Sequence, residues 1–162
     1  MLTDNPFAAL SFIAGPALLT NATSLLLLST INRYARALDR ARLLATKIAG
    51  LEPGTDAGET SLWRHQLTLA QLRVRLILRT LTFFYTAIGT FGLGTLSYLV
   101  GAALLAGTAG ETAASVIMLA GSTLGVASLI AGSAILVWES RLSFQILRDE
   151  AEIVLKHTIG AA

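Results

Sequence analysis

Asn21 and Asp39 are eighteen residues apart, about five full turns of an α-helix, and Asn32 falls only about 20° from the line joining them. One helical stripe therefore carries Asn21, Leu25, Leu28, Asn32 and Asp39. Its order is polar, then apolar, then polar and acidic. Facing the axis of a ring of identical subunits, such a stripe would line an ion pathway, because side-chain rings and apolar constrictions select and gate ions. The same residues also read without any pathway. An Asn within a membrane helix can join helices through one interhelical hydrogen bond, worth about 1 kcal/mol. Asp39 lies three positions from both Arg36 and Arg42, close enough on a helix surface to pair with either.

A second stripe, on an adjacent face of the same helix, holds Arg33, Arg36, Arg40 and Lys47. These cations could attract anions, lipid phosphates or an acidic protein; they could equally form the basic collar that fixes a membrane topology. Glu139 follows Trp138 and is expected to pair with Arg79 or Arg141. Asp149, Glu150 and Glu152 read as a solvated helix face. His65 and His157 lack neighbouring ligands and the chain has no cysteine, so no metal site and no cofactor are expected. The phosphate-cradling, nucleophile-elbow and zinc-protease motifs are missing, which argues against an enzyme. No nucleic-acid partner is expected.

The elements that must position these residues are apolar. Hydrophobic residues make up 54% of the 162 and charged residues only 14%, against about 25% charged in an average soluble domain. Three blocks, residues 6–31, 80–106 and 112–138, contain no Lys, Arg, Asp, Glu or His. Each exceeds the roughly 20 residues with which an α-helix crosses a bilayer. The fold expected is all-α and integral to the membrane, a single membrane domain with three transmembrane helices. Residues 32–79 form a cytoplasmic helical hairpin, and residues 139–158 a cytoplasmic C-terminal helix.

Within the hairpin, residues 32–49 contain no Gly or Pro and continue the first span, with Leu38, Ala41, Leu44, Ala45 and Ile48 at core-like spacing. Gly50 and Pro53-Gly54 end that arm. Thr60 or Ser61 is placed to cap the returning one. Leu142, Ile146, Ile153 and Val154 offer the C-terminal helix a face to pack beside the hairpin.

All twelve Lys and Arg fall in two places: nine between the first and second spans, and three after the third. The positive-inside rule then puts the hairpin and the C-terminus in the cytoplasm and the N-terminus outside. The first span lacks a basic leader and is longer than a signal-peptide core, so it reads as a retained helix. Gly89, Gly92 and Gly94 in the second span, and Gly121, Gly125, Ser128 and Gly132 in the third, let helix backbones approach closely. Packing within one subunit and packing between subunits both fit that pattern.

The segment Asn32-Arg33-x-x-Arg36-x-x-Asp39-Arg40, following an apolar span, resembles the opening motif of the bacterial membrane family called domain of unknown function 2721. The basic entry Arg73 to Arg79 and the exit through Glu139, Arg141 and Ser143 are similar to two further stretches of that family. The resemblance implies a topology in a bacterial inner membrane and no established chemistry. The lipid bilayer and further copies of the chain are the expected partners, as a homo-oligomer with an ion channel or pore lined by the first helix. The alternative is a non-conducting accessory or scaffold protein that binds an anionic lipid or an acidic protein through its basic hairpin.

Overall fold

The computed structural model describes the backbone of residues 6–51, 57–104 and 107–159 and, apart from Glu59, the side chains of residues 14–51, 58–104 and 107–144. Three helices follow in chain order: α1 (Pro6–Ala49), α2 (Ala57–Leu104) and α3 (Ala109–Ile159). Stretches of all three, Ala14–Ala49, Thr60–Leu104 and Ala109–Phe144, are long and apolar enough to cross a membrane.

Each helix is longer than its apolar block, for a local reason. From Asn32 to Ala49 nothing stops α1, and the helix ends where Gly50 follows. The third span and the helix expected after it are one element, α3, because no Gly or Pro occurs between Gly132 and Gly160. Thr60 and Ser61 do not cap α2, which already begins at Ala57; the Ser61 hydroxyl donates back to the Gly58 carbonyl at 2.8 Å. The start of α3 has its own device. Gly107 adopts a left-handed φ of 77°, and its N–H donates to the Glu111 carboxylate at 2.8 Å. The Gly110 N–H meets the Thr108 hydroxyl at 3.2 Å, so Thr-x-x-Glu works here as a variant capping box.

The chain divides into two compact units. The first comprises Met1–Asn32 and Thr80–Gly132. Its buried positions recur every seven residues: Pro16, Thr23 and Thr30 on α1, Phe84 and Phe91 on α2, Met118, Gly125 and Gly132 on α3. That spacing is the seam of left-handed helix packing. Glycines on α3 take the bulk of α2. A Cβ on Gly132 would meet the Phe84 ring at 2.7 Å, and one on Gly125 would run into Phe91. At Gly121 it would lie 3.1 Å from the Thr90 carbonyl oxygen, and at Gly94 of α2 it would lie 3.4 Å from the Met118 backbone. These small residues serve packing within the chain. Four hydroxyls of α1 are satisfied locally: Thr20, Thr23, Ser24 and Thr30 donate to the carbonyl four residues back at 2.6–2.8 Å.

The second unit comprises Arg33–Arg79 and Ser133–Ala162. Ala37 and Leu44 of α1 are buried, as are Ala70 and Ile77 of α2 and Glu139 of α3. The α1 core line thus runs Ala37, Ala41, Leu44, Ile48, and the expected pair Leu38 and Ala45 lies to one side of it. Leu38 is half-buried and Ala45 exposed; both line a groove of about 340 Å³ with Leu67, Gln71 and Val74. Farther out, Lys47 places its ammonium 4.8 Å from the centre of the Trp63 ring, tying the two arms together. Leu142 is half-buried. The side chains of Ile146, Asp149, Glu150, Glu152, Ile153, Val154 and His157 lie outside the described residues.

Candidate functional site: the arginine groove around Glu139

Glu139 is the one carboxylate buried among the described residues, 2% exposed, and burying a charge without partners would be costly. Its partners come from all three helices. Arg73 of α2 approaches Oε1 with Nε and Nη2, each at 3.0 Å. Arg33 of α1 reaches Oε2 with Nη1 at a looser 3.4 Å, and the same nitrogen lies 3.2 Å from the Ser140 hydroxyl. On α3, the Ser143 hydroxyl lies 2.8 Å from Oε1 and 2.9 Å from the Glu139 carbonyl; with one proton it donates to one of them at a time.

Periodicity explains why these side chains meet. Arg73 lies between Ala70 and Ile77 on the inward face of α2, a basic residue on an otherwise apolar line. Ser143 lies four residues beyond Glu139, on the same face of α3. The expected partners of Glu139 were Arg79 and Arg141; both are exposed and neither bonds to it. The signal for the observed pair was present, since a charged residue on a core line needs an opposite charge on a facing core line.

Around this cluster opens a groove of about 500 Å³. Arg33, Arg36 and Arg40 of α1 and Arg73 of α2 line it, together with Ala37, Glu139, Ser140, Ser143 and Phe144. Three of the four residues of the expected basic face are therefore brought together, and Arg73 joins them from the next helix. Lys47, the fourth, is engaged with Trp63 instead. The three stretches that carried the family resemblance, around Asn32 to Arg40, Arg73 and Glu139 to Ser143, all supply residues to this one groove.

The Asn21 stripe lies elsewhere. Asn21, Leu25, Leu28, Asn32 and Asp39 are all exposed, so none belongs to the core of its unit. Asn21 makes no hydrogen bond with its side chain to any described residue, in contrast to the hydroxyls beside it.

What the groove can do chemically follows from its donors. Guanidinium groups are planar, permanently charged and carry five N–H donors each, which suits bidentate contact with carboxylate or phosphate oxygens. In Glu139 a single oxygen, Oε1, faces both Nε and Nη2 of Arg73, and Oε2 meets one nitrogen of Arg33. The burial of Glu139 keeps two of the arginines aimed into a shared space.

No curated protein and no solved structure matches the chain. A family model does, over residues 13–149, a range that takes in the α1 stripe, the hairpin arms and the whole Glu139 cluster. The chain belongs to the family described as protein of unknown function (DUF2721).

Proposed function

We propose that the protein is an integral membrane protein with three spans that assembles with copies of itself, the outward stripe of α1 lining a shared conduit for ions. Asn21 carries this reading. It is exposed in a charge-free stretch of α1, and its amide has no described partner, whereas Thr20 and Ser24 are satisfied by their own helix. An unpaired amide facing hydrocarbon costs several kcal/mol. A symmetry-related copy presenting the same side chain, or a water-filled axis, removes that cost. In a cyclic ring the same stripe of each subunit meets the axis, so Leu25 and Leu28 form a constriction and Asn32 and Asp39 a polar mouth. The orientation follows from charge: the basic Arg33–Arg79 segment and the C-terminus are cytoplasmic, and the N-terminus is outside a bacterial cell membrane.

The test joins stoichiometry to conduction. Native mass spectrometry of the solubilised protein is expected to show a ring, and Leu25→Cys to cross-link between copies. Liposomes holding the protein should pass ions, and Asn21→Leu should change that flux about tenfold or more. A monomer overturns the assembly. A ring without flux, or one whose flux ignores Asn21→Leu, overturns the pore and leaves the non-conducting scaffold, which the arginine groove favours.

A further inference from the structure

The arginine groove does not depend on whether the assembly conducts, and it has more donors than Glu139 can use. Arg73 commits Nε and one hydrogen of Nη2 to the carboxylate, and Arg33 commits Nη1 to Glu139 and Ser140. Five N–H groups per guanidinium leave both with donors to spare. Arg36 and Arg40 make contacts of their own, and both are exposed and line the same groove. The side chains of Arg33 and Arg73 are 43% and 28% exposed, so neither is sealed from the groove it lines. Four forked cations around about 500 Å³ fit a tetrahedral oxyanion better than a flat carboxylate, which Glu139 already supplies.

The surroundings say where such an anion would come from. Trp138, 66% exposed, and Val137, 56% exposed, immediately precede Glu139, and Phe144, 71% exposed, itself lines the groove. An exposed Trp beside arginines marks the membrane–water boundary. Ser140 to Phe144 rise about 3–9 Å along the helix beyond Trp138, which matches a headgroup layer of about 5–8 Å. The phosphates of a bilayer lie at that depth, each bonded to an acyl-bearing glycerol, and Phe144 offers the apolar contact such a molecule would use.

We propose that the groove formed by Arg33, Arg36, Arg40 and Arg73 binds the phosphate of an anionic phospholipid. The probe is phosphatidylglycerol doped into phosphatidylcholine nanodiscs holding the full chain, with retained lipid counted by native mass spectrometry after release. The wild type should retain phosphatidylglycerol in preference to phosphatidylcholine, and R36Q/R40Q should lower that retention about tenfold or more. Arg64→Gln, an exposed arginine that does not line the groove, should leave it unchanged. The charge-keeping R36K/R40K pair, lacking the planar forks, should recover only part of it. Equal retention in wild type and R36Q/R40Q overturns the proposal, as does an equal loss in Arg64→Gln. Inorganic phosphate titrated into protein in pure phosphatidylcholine is the second arm. Saturable phosphate binding without phosphatidylglycerol enrichment would assign the groove to a soluble anion and overturn the lipid.

Discussion

Glu139→Gln isolates the buried carboxylate that Arg33 and Arg73 share. The substitution keeps the volume and removes the charge that two guanidinium groups share. Breaking a buried ion pair on one side ordinarily costs 3–5 kcal/mol; here both arginines reach solvent and can be hydrated, so a loss of about 1–3 kcal/mol is expected. The two arginines are unequal. Arg73, with two nitrogens at 3.0 Å, should cost more when replaced by Gln than Arg33, whose one approach to Glu139 is at 3.4 Å and whose loss should stay within about 1 kcal/mol. Unfolding in detergent followed by helical circular dichroism measures all three variants. An Arg33→Gln effect equal to that of Glu139→Gln would contradict the ranking.

At the scale of elements, the glycines of α2 and α3 fall into two classes that the sequence alone does not separate. Gly125 faces Phe91, and a Cβ there has no room. Gly125→Ala should therefore lower stability by about 1–3 kcal/mol, the cost of overpacking a tight contact. Gly92 has nothing within 4 Å of an added Cβ. Gly92→Ala should be neutral or stabilising by up to about 1 kcal/mol through helix propensity. Thermal midpoints in one detergent compare the pair directly, and equal effects would contradict the packing of α3 on α2. The arms of the hairpin supply a smaller test. Trp63→Ala removes the cation–π contact with Lys47 and should cost about 0.5–1 kcal/mol, read as faster proteolysis near Gly50.

At the scale of the whole molecule, the distribution of charge makes a topology testable without background, because the chain has no cysteine. Thr108→Cys, in the turn before α3, should react with a membrane-impermeant maleimide added to intact cells. Ser61→Cys, on the basic arm of α2, should react only after permeabilisation. Labelling of both positions in intact cells, or the reverse pattern, would overturn the orientation drawn from the positive-inside rule. An assembly through the α1 stripe adds that Leu25→Cys cross-links between copies, whereas a cysteine at buried Ala87 does not.

The sequence by itself determined the class of the elements and the continuation of α1 beyond its span, whereas the start of α2 at Ala57 and the union of the third span with the helix after it as one α3 emerged only in the structure. A stretch of some twenty apolar residues without charge can satisfy its backbone in lipid only as a helix, and the absence of Gly or Pro at Asn32 to Ala49 carried α1 onward as a helix. It also placed Arg33, Arg36 and Arg40 on one face, since helical periodicity is local. Which side chains meet across helices was decided only by the tertiary structure. Glu139 had Arg79 and Arg141 as candidates from position along the chain, yet it pairs with Arg33 and Arg73, because pairing depends on the rotation of each helix about its axis. That rotation is set by where the seven-residue core lines of all three helices face one another. The same packing turned Asn21 outward, buried Thr23 and Thr30, and gathered four arginines around one carboxylate.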